Sequence, residues 1–295
     1  MGFFWEGHVK PIGLTTVFAL SAIEEAFRYM QKGAHIGKII VQMRDETAPD
    51  ATSKSNIPSP AGRAKTLKLD GAASYLLVGG LGGLGRAVSR YMVERGARRL
   101  VYLSRGGGGK EEDRALVREL ESMGCKVVLV KGSVSDEADV HRALQQAPNL
   151  KGIVNMSMVL RDQGFPNMTL EEWNGATSPK VQGTWNLHNA TVTAGAALDF
   201  FLLFSSISGV IGQPGQANYA GVNTFLEAFV EYRNRLGLAA SAIDIGGVED
   251  IGVMAQNEGL LRKVKTTSAY SVCEIELLEA VGAAMMLGSD PAAPS

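Results

Sequence analysis

From about Leu67 onward, short apolar runs alternate with longer amphipathic stretches, and this alternation restricts the possible folds more than any other feature of the chain. The apolar runs are SYLLVG, RLVYLS, KVVLVKG, GIVNMS, DFFLLFSS and SAIDIGG, and the stretches between them cover residues 84–96, 110–124, 136–147, 169–194 and 217–236. Six strands alternating with five helices predict an α/β fold with a doubly wound parallel sheet and helices on both faces. Strands that are apolar along their whole length fit a sheet covered on both sides.

A glycine-rich run, VGGLGGLGRAV, follows the first of these strands directly and opens the next helix. Gly80, Gly82 and Gly85 have the G-x-G-x-x-G spacing of a Rossmann-type dinucleotide site, where the backbone approaches a pyrophosphate at a helix N-terminus. The same glycines could instead serve only a tight turn that brings helix and strand together. The residues predicted to bind the pyrophosphate are Gly79, Gly80, Leu81, Gly82, Gly83, Leu84 and Gly85.

The end of the second strand carries the residues expected to distinguish NADPH from NADH. A site for NADH has Asp or Glu about twenty residues beyond the glycines, where the carboxylate holds the ribose 2′-hydroxyl. This chain has Ser104 and Arg105 there, and a hydroxyl beside a guanidinium suits a 2′-phosphate. We therefore predict NADPH as the cofactor. The alternative is a solvated surface arginine before the GGGG loop.

Four polar side chains are expected to meet at the carboxyl edge of the sheet. Ser206 ends the fifth strand, and Tyr219 begins the following helix thirteen residues later. Asn223 lies one helical turn beyond Tyr219, on the same face. Lys180, in SPKVQGTW, lies on the long helix that precedes the fifth strand. Each has an ordinary alternative, as a packed tyrosine, a surface lysine, a strand-end serine or a helix-interior asparagine, and it is their joint occurrence that favours catalysis.

With these residues the chain resembles the short-chain dehydrogenase/reductase superfamily, and within it the ketoreductase domain of fungal highly reducing polyketide synthases. The resemblance covers roughly residues 70–250 and rests on LRDQGFPNMTLEEW, SPKVQGTWNLH and SSISGVIGQPGQANYAG as well as the glycine run. Ordinary short-chain dehydrogenases carry the catalytic lysine four residues after the tyrosine. Ketoreductases of this type have asparagine there and take the lysine from the earlier helix, which matches Asn223 and Lys180.

The resemblance implies NADPH-dependent reduction of a β-ketoacyl thioester, carried on the phosphopantetheine of an acyl carrier protein, to the β-hydroxyacyl thioester. Tyr219 would protonate the carbonyl oxygen as hydride arrives, and the charge of Lys180 would lower the pKa of the phenol. Ser206 would hold the substrate oxygen, and Asn223 would orient the lysine or a relay water. Two other functions stay open: a catalytically silent cofactor-binding scaffold, and a free-standing reductase of diffusible ketones.

Two loops depart from the pattern of the superfamily. Many relatives have a Cys-Asp pair after the third strand, where the Asp meets the adenine, but this chain has Gly132 and Ser133. After the fourth strand, NMSMVLRD replaces the Asn-Asn-Ala-Gly or His-Ala-Ala-Gly found in much of the superfamily. The remaining residues predicted to contact the cofactor are Ser133, Val134, Asn155, Met156 and Ser157.

The N-terminal segment has a different organisation. SAIEEAFRYMQKG, residues 21–33, predicts an amphipathic helix that begins with a capping box of Ser21 and Glu24, and KIIVQM, residues 38–43, predicts a strand. This segment resembles the closing part of an enoyl reductase domain. The predicted division of the chain is an enoyl reductase-like tail over residues 1–45, a linker over 46–66 and the ketoreductase domain over 67–290.

Composition narrows the range of partners. Lys and Arg number 29 against 30 Asp and Glu, so the formal charge of −1 gives no support for binding nucleic acid or an anionic membrane. No apolar run reaches the length of a membrane span and no leader sequence is present, so we predict a cytoplasmic protein. Cys125, Cys273 and the four histidines lack metal-binding spacing, and no metal is expected. The partners implied by the resemblance are a carrier protein and neighbouring synthase domains.

Overall fold

The computed structural model describes residues 15–19, 22–33, 37–42, 66–251 and 271–287. The chain divides into two compact units between Lys65 and Thr66. The predicted linker, residues 46–66, lies outside the described residues except for Thr66. Among the helices that the structure describes, none is both long enough and apolar enough to cross a membrane.

The first unit contains β1 (Thr15–Ala19), α1 (Ile23–Gln31) and β2 (Lys38–Gln42). β1 and β2 pair in parallel. The predicted helix and strand are thus present with shorter bounds. The predicted cap, Ser21, lies outside the described residues, and the residue that precedes α1 is Ala22, which makes no side-chain cap. Ala26 is buried, whereas Phe27 and Met30 of the same helix are exposed, so the described part of α1 buries few of its apolar side chains.

The second unit is built around a parallel sheet. Its strands are β3 (Ser74–Val78), β4 (Arg99–Ser104), β5 (Lys126–Lys131), β6 (Leu150–Asn155), β7 (Phe200–Ser206) and β8 (Ser241–Ile245). They pair in the order β5-β4-β3-β6-β7-β8, all in parallel. The six strands coincide with the six apolar runs, so the predicted Rossmann-type doubly wound sheet is confirmed. The order of the strands switches between β3 and β6, and such sheets bind their ligands outside the carboxyl ends of the strands at this point.

Helices cover the two faces of this sheet. They are α2 (Gly83–Glu94), α3 (Glu111–Ser122), α4 (Glu137–Gln145), α5 (Leu170–Thr177), α6 (Val181–Thr193), α7 (Ile207–Ile211), α8 (Ala217–Arg235) and α9 (Glu274–Leu287). Two short strands, β9 (Gly247–Val248) and β10 (Ser271–Val272), pair with each other. The sequence patterns predict α2, α3, α4 and α8, but they do not predict α7, α9 or the pairing of β9 with β10.

The prediction of a single helix over residues 169–194 is wrong. The chain forms α5 and α6 instead, with a break at residues 178–180. Pro179 lies in this break, and proline lacks the N–H that a continuous helix needs and restricts the residue before it. Lys180 is therefore the N-cap of α6 and not a residue inside a long helix. Because α6 connects two parallel strands and runs antiparallel to them, its first turn lies at the carboxyl edge of the sheet.

The core has two layers, one on each face of the sheet. On one face, Tyr75 and Leu77 of β3 pack with the apolar sides of α2, α3 and α9. On the other face, Leu76 and Val78 of β3 pack with α4, α6 and α8. Every residue of β3 is buried, as expected for a central strand with helices on both sides. This double layer fixes the carboxyl ends of β3 to β7 relative to one another.

Candidate active site

The glycine-rich run forms the turn between β3 and α2. Gly79 has a φ of 75°, and a Cβ at this residue would lie 2.8 Å from the carbonyl oxygen of Met156. A Cβ at Gly85 would lie 2.5 Å from the backbone of Gly80, so side chains at these positions would force the turn apart. Gly82, the N-cap of α2, is exposed. The turn therefore leaves the N-terminal N–H groups of α2 open to an anionic group.

The end of β4 places Ser104 and Arg105 at the same edge. The carbonyl oxygen of Ser104 accepts hydrogen bonds from the N–H groups of Gly107 (3.1 Å) and Gly132 (3.0 Å), which ties the end of β4 to the loop that follows β5. The side chain of Arg105 is exposed, and it makes no hydrogen bond or ion pair with any residue that the structure describes. Its guanidinium is thus available to an anion that binds along this edge.

The loop after β5 carries Ser133 and Val134. The N–H of Ser133 donates a 2.7 Å hydrogen bond to Asp139, and this bond lowers the pKa of the Asp139 carboxyl. A Cβ at Gly132 would lie 2.6 Å from the same carboxylate oxygen. Val134 is buried and packs against Gly183 at the start of α6. The Gly-Ser pair that departs from the family pattern therefore makes room for a carboxylate from α4.

The end of β6 contributes Asn155, Met156 and Ser157. The side chain of Asn155 accepts a 3.1 Å hydrogen bond from the N–H of Ser157 and donates one of 3.3 Å to the hydroxyl of Thr184. The hydroxyl of Ser157 donates to the carbonyl oxygen of Pro179 (3.1 Å), and Met156 is largely buried. These bonds attach the end of β6 to the break before α6, directly beside Lys180.

The four residues predicted to be catalytic converge at this edge. Ser206 ends β7, Tyr219 lies in the first turn of α8 and Asn223 lies one turn later. The ammonium nitrogen of Lys180 lies 5.6 Å from the centroid of the Tyr219 ring, and it donates a hydrogen bond to the carbonyl oxygen of Phe204. Lys180 thus reaches β7 from the N-cap position of α6 and not from the predicted position inside a helix.

Burial acts in opposite directions on the two ionisable groups of this cluster. Lys180 is 3% exposed, and burial lowers the pKa of its amine to about 7 although the charge of Asp244 opposes the shift. Burial raises the pKa of the Tyr219 phenol, and the polar side chains of Asn223 and Ser206 oppose this shift. The phenol therefore keeps its proton at neutral pH, as a proton donor must.

Asn223 is fully buried, and its amide is only partly satisfied. Its Nδ2 donates a 2.8 Å hydrogen bond to the backbone carbonyl oxygen of Tyr219. Its Oδ1 is buried, and no partner for it exists in the described part of the chain. A buried acceptor without a partner is costly, which fits a group that receives a hydrogen bond from the lysine or from a water in the working site.

A polar network that the sequence patterns do not reveal holds the loop before Tyr219. Asn218 is fully buried, accepts a 2.7 Å hydrogen bond from the N–H of Tyr219 and donates one of 3.0 Å to the carbonyl oxygen of Arg161. Gln216 donates a 2.9 Å hydrogen bond to Asp162. Asp162 also raises the pKa of the Tyr219 phenol through its negative charge, in addition to the larger effect of burial. The sequence offers two hints of this network, Asp162 in the run LRD and the short run QANY, in which polar side chains precede the tyrosine.

The site as a whole fits a dinucleotide. Along the carboxyl edge of the sheet, the order is the end of β5, the exposed Arg105 after β4, the glycine turn after β3 and the end of β6, and the catalytic cluster lies beyond β6. The structure thus brings together all the residues predicted for both roles at one edge. Within the described residues, no three His, Cys, Asp or Glu side chains group in a way that could hold a metal ion.

Comparison with known proteins agrees with this arrangement. A family model described as "KR domain" matches residues 73–250. Similar curated proteins include "Highly reducing polyketide synthase sphB" from Aspergillus fumigatus, 47% identical over 288 residues, and "Highly reducing polyketide synthase g433" from a Fusarium species, 50% identical over 282 residues. These matches cover 97% and 95% of this chain but 11% of each relative. The chain corresponds to a small segment of these long proteins.

Solved structures give the same result for the fold. One described as "Structure of A1-type ketoreductase" is 29% identical to this chain, with a TM-score of 0.72. The match covers 80% of this chain and 49% of the solved chain. Another, described as "Structure of A-type Ketoreductases from Modular Polyketide Synthase", is 30% identical to this chain, with a TM-score of 0.69. The match covers 74% of this chain and 46% of the solved chain.

Proposed function

The chain belongs to the KR domain family, whose members are oxidoreductases of the short-chain dehydrogenase/reductase type that use a nicotinamide cofactor, and on this premise we propose that it reduces a β-ketoacyl thioester to the β-hydroxyacyl thioester. The substrate would be tethered through phosphopantetheine to an acyl carrier protein. The observation that carries the proposal is the convergence of four side chains at the carboxyl edge of a dinucleotide-type sheet: Lys180, Ser206, Tyr219 and Asn223.

The role of each side chain follows from its surroundings. The cofactor would supply hydride to the carbonyl carbon. Tyr219 holds its proton at neutral pH because burial raises the pKa of the phenol, and it would give that proton to the carbonyl oxygen. Ser206 lies at the phenol and would donate a hydrogen bond to the same oxygen as negative charge develops there. The two hydroxyls would thus bind one oxygen atom from two sides.

Lys180 and Asn223 would restore the proton that Tyr219 gives up. The amine of Lys180 has a pKa of about 7, so it can both hold and release a proton near neutral pH. The unpartnered Oδ1 of Asn223 is the acceptor that can hold the lysine, or a water between lysine and tyrosine. In its charged form, the lysine would also stabilise the phenolate that proton transfer leaves behind.

The preference for NADPH over NADH is part of the proposal. It is supported by the exposed guanidinium of Arg105 and the hydroxyl of Ser104 at the end of β4, where no carboxylate side chain stands to hold a ribose hydroxyl. The residues proposed to contact the cofactor are Gly79, Gly80, Leu81, Gly82, Gly83, Leu84, Gly85, Ser104, Arg105, Ser133, Val134, Asn155, Met156 and Ser157.

The surroundings of the domain are also proposed by similarity to the relatives. We propose that residues 67–290 form the ketoreductase domain, that residues 1–45 are the tail of an enoyl reductase-like domain, and that residues 46–66 link the two. Both would belong to a larger synthase that works in the cytoplasm and presents the substrate on its carrier domain. The polyketide synthase names of the relatives, of which this chain covers 11%, support the proposal that it belongs to a larger synthase.

The test is NADPH oxidation by the purified chain with a β-ketoacyl pantetheine thioester. Tyr219→Phe removes only the hydroxyl, and we expect turnover to fall by at least about a hundredfold while NADPH still binds, because general acid catalysis typically contributes that much. Tyr232→Phe is the matched control, since Tyr232 lies on the same helix and is 42% exposed. Unchanged turnover in Tyr219→Phe would remove the phenol from its role. Binding of NADPH without turnover in the unmodified chain would favour a silent scaffold.

A further inference from the structure

Arg86 connects the glycine turn to a neighbouring helix. It follows the last glycine of the motif, on the first turn of α2. Its Nε donates a 2.9 Å hydrogen bond to the carbonyl oxygen of Leu81, at the tip of the turn. Its Nη2 lies 3.2 Å from Oδ1 of Asp113 on α3. One planar guanidinium therefore holds the backbone of the turn through Nε and a carboxylate of α3 through Nη2.

Asp113 passes this connection on to the loop that follows Arg105. The residue is 5% exposed, and its second carboxylate oxygen accepts a 3.3 Å hydrogen bond from the N–H of Lys110, the N-cap of α3. The loop between Arg105 and Lys110 is fixed further by close packing, because a Cβ at Gly108 would lie 2.4 Å from the side chain of Leu129. A movement of Asp113 would therefore displace the start of α3 and the end of this loop.

We propose that Arg86 is a positioning residue that sets the spacing between the glycine turn and the loop that bears Arg105, and that this spacing contributes to the preference for a 2′-phosphorylated dinucleotide. The inference rests on the proposed function, which assigns the pyrophosphate to the turn and the 2′-phosphate to Arg105. A dinucleotide that carries the extra phosphate must meet both loops at once, whereas one without it depends mainly on the turn.

The same two helices provide a control. Arg90 lies one turn after Arg86 on α2, and it forms hydrogen bonds of 2.6 and 2.9 Å with the carboxylate of Glu119 on α3. Both side chains of this pair are 41% exposed, and neither contacts the glycine turn or the loop after Arg105 in any bond that the structure describes. Arg90→Met thus removes an α2–α3 ion pair of similar kind without touching the proposed connection.

The experiment measures Kd for NADPH and for NADH by fluorescence titration of the purified chain, with kcat and KM as a second readout. We expect Arg86→Met to lower the ratio of NADPH to NADH affinity by about tenfold. The contacts to the 2′-phosphate would be misplaced, and the carboxylate of Asp113, without its partner, would repel that phosphate. We expect kcat at saturating NADPH to stay nearly unchanged, and Arg90→Met to keep the ratio of the unmodified chain.

A second variant keeps the test valid if Arg86→Met folds poorly because Asp113 loses its partner. The double variant Arg86→Met/Asp113→Asn removes the buried charge together with the connection, and we expect the same reduced ratio in it. A double variant with the full original ratio would overturn the positioning role. An unmodified chain that prefers NADPH while Arg86→Met retains that preference would overturn this inference alone. Equal binding of NADPH and NADH by the unmodified chain would overturn both it and the role of Arg105.

Discussion

The burial of Lys180 predicts that removing its amine stabilises the protein while it abolishes catalysis. The amine moves from an ordinary pKa of 10.5 to about 7 in the folded chain, and each unit of difference corresponds to about 1.4 kcal/mol. At pH 7 the buried amine therefore costs about 4 kcal/mol relative to the unfolded chain. Lys180→Met would also lose the hydrogen bond to Phe204, worth about 1–2 kcal/mol. We expect a net gain of about 2–3 kcal/mol in the free energy of unfolding.

The gain should depend on pH in a defined direction. Between pH 7 and 10.5 the unfolded chain holds more protons at this amine than the folded chain does, because the folded pKa is the lower one. Stability of the unmodified chain therefore rises with pH across this window, and the penalty is complete once the pH falls below 7. Lys180→Met lacks this contribution. The difference in free energy of unfolding between Lys180→Met and the unmodified chain should therefore shrink by about 2 kcal/mol between pH 7 and pH 9.

Urea denaturation of both proteins at pH 7, 8 and 9 gives the required free energies. The difference between the two cancels the titration of all other groups. Lys126→Met serves as the matched control, because Lys126 is an exposed lysine at the start of β5, and we expect its effect on the free energy of unfolding to be small. A Lys180→Met protein that is less stable than the unmodified chain at pH 7, or an advantage that stays constant up to pH 9, would refute the argument from burial.

Two further predictions concern the turn and the second core layer. Gly85→Ala places a Cβ 2.5 Å from the backbone of Gly80, so we expect NADPH affinity to fall by at least about tenfold in the same fluorescence titration; an unchanged Kd would contradict the close approach. His188 accepts a 2.7 Å hydrogen bond from the buried guanidinium of Arg233, and burial, together with that charge, lowers the pKa of the imidazole. Folded His188 binds fewer protons than unfolded His188, so the free energy of unfolding should fall as the pH drops below 6.5. In thermal denaturation between pH 7.5 and 5.5, we expect His188→Gln to lose less stability than the unmodified chain, with a difference of up to about 1.4 kcal/mol per pH unit. Equal losses of stability in the two proteins would contradict this prediction.

The alternation of apolar runs with amphipathic stretches made the fold predictable from the sequence. The run RLVYLS coincides with β4, and the helix predicted at 136–147 differs from α4 by one or two residues at each end. The failures have physical reasons. Pro179 divides the helix predicted over 169–194. α7 has only five residues, and its start depends on the side chain of Ser206, which accepts a 3.2 Å hydrogen bond from the N–H of Ser208, so no helical periodicity could reveal it.

The longest helix missed, α9, could have been predicted. Leu277, Val281 and Met285 are buried and follow one another at intervals of four residues, which places them on one helical face. Their apolar neighbours on the other faces weaken the contrast that makes an amphipathic helix easy to recognise.

The residues of the candidate site could be proposed from the sequence because most of them lie in local motifs. The contacts that surround these residues could not be predicted in this way. Ser206, Tyr219 and Asn223 lie within one continuous segment whose spacing brings them to one edge. The partners that hold the segment, such as Asp162 for Gln216, come from a loop more than fifty residues away. The direction of each pKa shift depends on burial, which emerges only after all the elements pack together.

Under the proposed mechanism, the site loses stability at two buried groups, the amine of Lys180 and the side-chain oxygen of Asn223. An exposed phenol and ammonium would have ordinary pKa values, and the ammonium would hold its proton firmly at neutral pH. Burial brings the amine of Lys180 to a pKa of about 7, where it can both release a proton and take one back. The cost includes the unpartnered oxygen of Asn223. Tyr75 and Leu77 on one face of the sheet, and the second layer opposite them, provide the apolar burial that offsets this cost. Substitutions that relax the cluster should therefore stabilise the fold at the expense of turnover.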